Sequence, residues 1–343
     1  LKSIDNMKKI FNLIASFVLL AGFSACNKDG SDKPGLPPAP VPTVNYKGLT
    51  FISSGKSTVC LAKVGAPDEI TLEYSTDESQ WNPYTIGEKI SMADGSFLLF
   101  RAGEQKNLTF SKGSDSYYHF EISGPVTAQG NIMSLLDRDF STPLSTNAFF
   151  ALFEGCTSLL SAPELPATTM EQGCYFRMFA ECTGLKSAPE LPAKELAYNC
   201  YGWMFKGCSA LTYVPDLPAT EMVSYCYNNM FANCTSLKFA PELPATRLDI
   251  GCYHCMFEGC TSLTSAPELP ATELVSNCYE FMYKDCRNLR YVIGLFTTEP
   301  SEKTTKDWLS GVAASGTFIK SKKATWDVTS AHGVPEGWKI ETW

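Results

Sequence analysis

The chain has 343 residues, too many for one small domain, and its length predicts two or three domains. Hydrophobic residues make up 44% and charged residues 19%, a composition that predicts a packed core and excludes wholesale disorder. The formal net charge of -8 disfavours a nucleic-acid partner, which requires a basic surface. It also disfavours binding to an anionic lipid surface through charge alone.

Residues 7–26 have the pattern of a secretory signal peptide. They read MKKIFNLIASFVLLAGFSAC, in which Lys8 and Lys9 precede an apolar stretch and small residues lead to Cys26. This stretch is too short and wrongly flanked for a transmembrane helix. No later segment is long and apolar enough to span a bilayer. Export is therefore expected.

The cysteine at the end of the signal resembles that of a bacterial lipobox, in which the thiol is diacylated and becomes the mature N-terminus. Phe23 departs from this pattern, because leucine is usual there. Residues 27–43 are rich in Gly, Pro, Asp, Lys and Ser, which predicts a disordered tether between the membrane and the first domain. We therefore expect lipidation of Cys26 and contact with a membrane only through that lipid.

Residues 44–128 alternate between apolar and polar positions in short runs such as ITLEYS and SFLLFRA, separated by turn residues. Alternation with period two predicts an antiparallel β-sandwich. The pieces EYSTDESQWNPYTIGEKISM and GSFLLFRAG resemble an Ig-like module. The expected role of this domain is to raise the C-terminal part of the chain off the membrane.

Five blocks of 26 residues follow one another from Cys156 without an insertion or deletion. The last of them reads CTSLTSAPELPATELVSNCYEFMYKD. Its residues 263–266 are predicted to form a short strand, and Pro267 and Pro270 force an extended or turn path. From Thr272, the spacing of Leu274, Cys278, Met282 and Tyr283 predicts a helix of roughly two to three turns. Stacked copies of such a unit would form a solenoid over residues 129–300.

The pairing of CTSL with a preceding MFEGC resembles the leucine-rich repeats of bacterial BspA-like surface proteins, in particular the variant with APELPAT blocks of gut Bacteroidetes lipoproteins. The resemblance covers about residues 44–343. It implies an α+β fold, a leucine-rich-repeat-type solenoid of short parallel strands and helices behind the β-sandwich. It also implies a surface or periplasmic binding role, and we expect the outer membrane surface rather than its periplasmic face.

Residues 301–343 are similar to the ending of the same proteins and hold four tryptophans, which predicts a cap over the final coil. A ligand-stacking platform is the alternative interpretation of these tryptophans.

The cysteines of the array form two ladders. One recurs from Cys156 to Cys286 and the other from Cys174 to Cys278, each at intervals of 26 residues. Their spacing does not match that of metal ligands, and no histidine accompanies them. Buried, reduced ladders are the favoured interpretation, and one disulfide in each coil, for example Cys174 with Cys182, is the alternative.

Two sets of residues are candidates for ligand binding. A carboxylate recurs between the two prolines of each coil, at Glu164, Glu190, Asp216, Glu242 and Glu268. Such a row is either a solvated edge or the partner of a cation or a basic surface. Aromatic residues occupy a variable strand position at Tyr213, Phe239 and Tyr291. If exposed they suit stacking on a sugar or anchoring a protein, and burial under the flanking domain is the alternative.

The candidates for catalysis are few. The histidines His119, His254 and His332 lie in different parts of the chain, and no nucleophile elbow or phosphate loop occurs. We therefore expect no enzymatic activity, no cofactor and no metal, and a monomer. The predicted function is that of a lipid-anchored binding or adhesion protein with a protein or glycan ligand. The alternative is a structural spacer of the cell envelope without a ligand.

Overall fold

The structure is a computed structural model that describes residues 47–105, 108–326 and 332–343. All the described residues belong to one compact unit, Asn45–Trp343. The predicted signal peptide, the lipidation site Cys26 and the predicted tether lie outside the described residues.

Residues 47–129 form two sheets in which the strands pair antiparallel. The first contains strands β1, β3, β4, β6 and β9, and the second has the order β5-β2-β8-β7. The strands are β1 Thr50–Ser53, β2 Ser57–Val64, β3 Leu72–Ser75, β4 Asn82–Tyr84, β5 Ile90–Met92, β6 Phe97–Ala102, β7 Ser111–Gly113, β8 Ser116–Ser123 and β9 Val126–Gln129. Phe51, Phe100 and Phe120 meet edge to face in the core, with ring centroids 5.1–6.0 Å apart.

The first sheet continues into the repeat array. Strand β9 pairs antiparallel with β1 and parallel with β10, Leu159–Ser161, which belongs to the first 26-residue block. A 3-10 helix, Ile132–Leu135, lies between β9 and β10, and the side chain of Asn131 caps it by accepting from the Met133 N–H. The ring of Phe120 also stacks on that of Phe153, with centroids 5.1 Å apart. The hydrophobic core is therefore continuous from the sheets into the array.

Consecutive blocks of the array stack on one another through backbone hydrogen bonds. The N–H groups of Tyr175 and Phe179 donate to the carbonyls of Cys200 and Met204, 25 residues further on. The N–H groups of the residues between them, such as Met178, donate instead to the carbonyl three residues earlier in the same coil. Along this segment, one residue donates its N–H to the next coil and the following residue donates within its own coil. The backbone N–H groups buried here therefore have hydrogen-bond partners.

A left-handed backbone conformation recurs at every fourth residue of this segment. In the coil that begins at Cys182, the residues with positive φ are Asn199, Trp203 and Gly207. Across the array the first and third of these positions are filled mainly by Gly, Asn and Asp, the residues that adopt this conformation most readily. Every fourth residue therefore leaves the right-handed helical conformation, so this segment cannot be a continuous α-helix.

The prediction of an α+β solenoid with helices is wrong. Among the described residues there is no α-helix, and the 3-10 helix Ile132–Leu135 is the one helical element. Residues 276–285, within the helix predicted from Thr272, form a run of turns, with left-handed residues at Asn277, Phe281 and Asp285. Left-handed residues interrupt the i to i-4 hydrogen bonding that a helix needs. The described fold is almost entirely strands, bridges and turns.

The predicted short strands are also sparse within the array. Between β10 and residue 264 there is no continuous strand pairing between neighbouring coils, and only isolated parallel bridges occur, such as Ser187 with Tyr213. At the far end a parallel sheet has the order β11-β12-β13-β14. Its strands are β11 Ser265–Leu269, β12 Tyr291–Gly294, β13 Thr317–Lys320 and β14 Lys339–Thr342.

Identical side chains form columns through the interior of the stack. Phe153, Phe179, Phe205, Phe231 and Phe257 stack face to face, with centroids 5.3–5.7 Å apart, and Tyr283 extends the column. A second column runs from Phe149 through Tyr175, Tyr201, Tyr227, Tyr253 and Tyr279, with spacings of 5.7–6.1 Å. Since each coil supplies the neighbour of the next, a coil buries its apolar face only within the stack.

Three tryptophans close the described part of the stack at residues 301–343. Trp308, Trp326 and Trp338 are buried, and their indole N–H groups donate to the carbonyls of Gly333, Phe296 and Ala313. Trp343, in contrast, is 43% exposed.

Candidate functional site

The aromatic strip consists of Tyr213, Phe239 and Tyr291, one residue from each of three coils. Phe239 is 68% exposed and Tyr213 42% exposed, and these two residues lie on neighbouring coils. Tyr291 is half-buried, and burial is the main cause that raises the pKa of its hydroxyl. Of the two interpretations of the sequence, burial under a flanking domain does not occur for Tyr213 or Phe239 in the described structure.

The repeat explains why these rings face solvent. In each coil the preceding leucine, such as Leu211 or Leu237, is fully buried, whereas the position two residues later is at the surface. Its equivalents Ser187 and Ser265 pair through the backbone with Tyr213 and Tyr291, so these residues occupy one column across the coils. A large apolar ring where other coils have serine is therefore an exposed addition to the surface and contributes nothing to the core.

The acidic row lies three residues beyond the aromatic strip. Its members Glu164, Glu190, Asp216, Glu242 and Glu268 are all exposed. Asp216 accepts a hydrogen bond from the backbone N–H of Glu242, at 3.4 Å, so neighbouring coils bring the acidic positions together. The pKa of Glu268 is raised, first by partial burial and then by the charge of Glu242. The row thus repels further negative charge and attracts cations.

A column of cations and hydroxyls immediately precedes the aromatic column in the chain, and it was not among the candidates predicted from the sequence. After Leu160 in the first coil, this position is filled in successive coils by Lys186, Thr212, Lys238, Thr264 and Arg290, which are all exposed. Within the described part of the chain, none of the three cations forms an ion pair, although Arg177, Arg247 and Lys284 do. The sequence contains a pattern that could have identified this column, because these positions differ between coils that are otherwise nearly identical.

The cysteine ladders are buried thiols. All thirteen cysteines among the described residues are free and buried. In one ladder each thiol from Cys182 onward donates to a phenylalanine carbonyl of the preceding coil, as Cys208 does to Phe179 at 3.1 Å. Burial raises the pKa of the Cys260 thiol to about 12, so this thiol is protonated at neutral pH. These contacts correspond to the reduced ladders and leave no reactive thiolate.

One polar cluster resembles a cysteine–histidine–asparagine arrangement. The Nδ1 atom of His254 lies 3.0 Å from Oδ1 of Asn228, and the Sγ atom of Cys255 lies 3.8 Å from Nε2 of His254. Burial lowers the pKa of His254 and raises that of Cys255. Both shifts favour the neutral groups, which is opposite to the thiolate–imidazolium pair that nucleophilic catalysis uses. Glu280 is near the same imidazole, at 3.6 Å.

A depression of about 340 Å³ is formed by residues of successive coils outside the aromatic strip and the acidic row. It is lined by Lys206, Asn233, Thr235, Glu258, Gly259, Thr261, Asp285 and Arg287. Lys206 lies over the indole of Trp203, 3.7 Å from the ring centroid, and Glu258 pairs with Lys284. Charges of both signs face this depression, so it selects neither an anion nor a cation.

Comparisons with known proteins give no relative, since no protein-family model, curated protein or solved structure matches the chain. In the ranges that the structure describes, no cluster of three or more histidine, cysteine or acidic side chains is arranged to hold a metal ion. Those ranges likewise contain no helix with the length and apolar character of a membrane span.

Proposed function

We propose that this chain is an exported, lipid-anchored binding protein of the cell envelope that holds a protein or glycan ligand on the exposed face of its stacked coils. The observation that carries the proposal is the exposure of Phe239 and Tyr213, at 68% and 42%, on neighbouring coils. Large apolar rings on adjacent surface positions are typical of binding sites. The acidic row, three residues further along each coil, supplies oxygen acceptors for hydroxyl or N–H groups of the ligand.

The cellular location rests on the sequence. Residues 7–26 have the pattern of a lipoprotein signal, and the repeats resemble those of BspA-like surface lipoproteins. We expect a palmitate analogue to label the protein in cells and the Cys26→Ala variant to remain unlabelled. Labelling of this variant to the same extent would contradict the anchor.

The ligand is sought on a glycan and protein array with the full-length protein and its Tyr213→Ala and Phe239→Ala variants. Burying one exposed aromatic ring contributes roughly 1.5–3 kcal/mol, so each variant should bind about ten- to a hundredfold more weakly. Tyr198→Ala is the matched control, because Tyr198 is 47% exposed and lies outside the strip. Binding that survives both strip substitutions, or that falls equally in the control, would contradict the proposal.

A structural spacer is the second candidate. It is favoured by the uninterrupted columns of Phe and Tyr, which would make the stack stiff whether or not a ligand is present. A spacer has no ligand to lose. The spacer function is supported if the unsubstituted protein binds nothing on the glycan and protein array while deletion of one 26-residue block alters cell-surface presentation.

A further inference from the structure

The exposed column beside the aromatic strip alternates in chemistry from coil to coil. Lys186, Lys238 and Arg290 carry positive charge, and Thr212 and Thr264, on the coils between them, carry hydroxyls. Neighbouring strands in a sheet are about 4.8 Å apart, so the cations recur about every 10 Å along the stack. Within the described ranges all three lack an ion-pair partner, which leaves them available to an external anion.

Local carboxylates do not neutralise these cations. Glu190 and Glu242 each follow a lysine of the column by four residues, a path of up to about 13 Å along an extended chain. Within the described ranges, neither lysine lies within ion-pair distance of these carboxylates. A ligand carboxylate at the column therefore meets cations that no carboxylate of the chain has paired.

We propose that this face binds a linear acidic glycan in which carboxylate-bearing and neutral sugars alternate. The carboxylates pair with Lys186, Lys238 and Arg290, and the neutral sugars contact Thr212 and Thr264. The faces of the sugar rings stack on Tyr213 and Phe239, which follow Thr212 and Lys238 directly in the chain. The inference rests on the proposed function, because it assigns a ligand class to the same exposed face.

Two features favour a glycan over an acidic peptide. The cations occur at a fixed interval of two coils, which matches a polymer with a repeating charge. Hydroxyls fill the alternate positions, and a threonine hydroxyl both donates and accepts hydrogen bonds, as sugar hydroxyls do. In this structure the Thr212 hydroxyl donates to the Lys186 carbonyl at 3.2 Å and keeps its acceptor capacity for a ligand.

The test measures binding of the full-length protein in detergent to an unsulfated glucuronate–N-acetylhexosamine oligosaccharide. Its comparison ligands are the same oligosaccharide with its carboxyls reduced to alcohols, a uronate homopolymer, and polyglutamate. Exposed ion pairs contribute little individually, so each substitution Lys186→Gln, Lys238→Gln or Arg290→Gln should weaken binding about two- to fivefold. The triple variant should weaken it at least about tenfold and flatten the salt dependence.

The matched control carries Lys194→Gln, Arg287→Gln and Lys303→Gln, which removes the same number of lysines and arginines from exposed positions away from the column. It should bind as the unsubstituted protein does, and both triple variants should unfold at unchanged temperature. Equal binding of the carboxyl-reduced oligosaccharide, equal binding of polyglutamate, or equal weakening in the control would each overturn the inference.

The inference and the proposed function fail separately. If a ligand binds in a manner that needs Phe239 but not the three cations, the acidic-glycan inference is overturned and the binding function stands. If no ligand found on the glycan and protein array requires Phe239 or Tyr213 for binding, the proposed binding function is overturned and the inference with it.

Discussion

The buried tyrosine column makes a prediction about stability. The hydroxyls of Tyr201 and Tyr227 are buried and have no hydrogen-bond partner among the described residues. Leaving a buried hydroxyl unpaired costs about 1–3 kcal/mol, and replacing tyrosine by phenylalanine keeps the stacked ring, whose neighbour is 5.7 Å away. At the low end of that range, Tyr201→Phe and Tyr227→Phe should each raise the free energy of unfolding by about 1 kcal/mol.

Urea denaturation followed by circular dichroism measures this change, and thermal unfolding should shift upward by about 2 °C for each substitution. Tyr213→Phe is the control, because its hydroxyl is at the surface and its loss should change stability by less than about 0.5 kcal/mol. A decrease in stability for Tyr227→Phe would show that its hydroxyl has a partner in solution and would refute the reasoning.

Three further outcomes are expected. Gly251→Ala should destabilise the protein by more than about 1 kcal/mol in urea titrations, because φ is 58° and the new Cβ would lie 2.4 Å from the ring of Tyr225. At Gly155, φ is 73° and no atom lies within 4 Å of an added Cβ, so Gly155→Ala should be destabilising only through backbone strain. If the two variants lose the same free energy of unfolding, the clash with Tyr225 is not a cause. The raised pKa of Glu268 means that the folded state binds this proton more tightly than the unfolded state, so stability falls as pH rises through that pKa. Glu268→Gln should therefore raise the melting temperature slightly at pH 7 and leave it unchanged at pH 3. A rise at pH 3 with no change at pH 7 would contradict this reasoning. Iodoacetamide at pH 8 should leave the thirteen described thiols unmodified in the folded protein. In denaturant without reductant it should alkylate all thirteen, as measured by mass spectrometry. Missing adducts in denaturant would show that disulfides are present.

The 26-residue period was visible in the sequence, but the conformation within each period was not. Leu274, Cys278 and Met282 follow one another at intervals of four, which fits a helical face. A chain that turns every four residues buries the same positions, so apolar spacing does not distinguish the two structures. The distinguishing signal is the recurrence of Gly or Asn eight residues apart, as at Gly251 and Gly259, which a helix interior disfavours.

The candidate site was only partly predictable. The sequence identified Tyr213 and Phe239 as variable residues but left open whether they are exposed, because burial depends on which elements cover the coil. The unpaired state of Lys186 and Lys238 could not be predicted at all, since it depends on where Glu190 and Glu242 lie in three dimensions.

In the turn segment of each coil, the hydrogen bonds between coils run in one direction, since its N–H groups donate to carbonyls of the next coil. Each turn segment therefore has a donor side and an acceptor side, and these sides are complementary from coil to coil. Removing or duplicating a whole block preserves every bond, whereas inserting one residue misaligns a complete set of them. The stack of coils can thus gain or lose length in whole coils through gene duplication and deletion, and the number of exposed variable positions changes in the same steps.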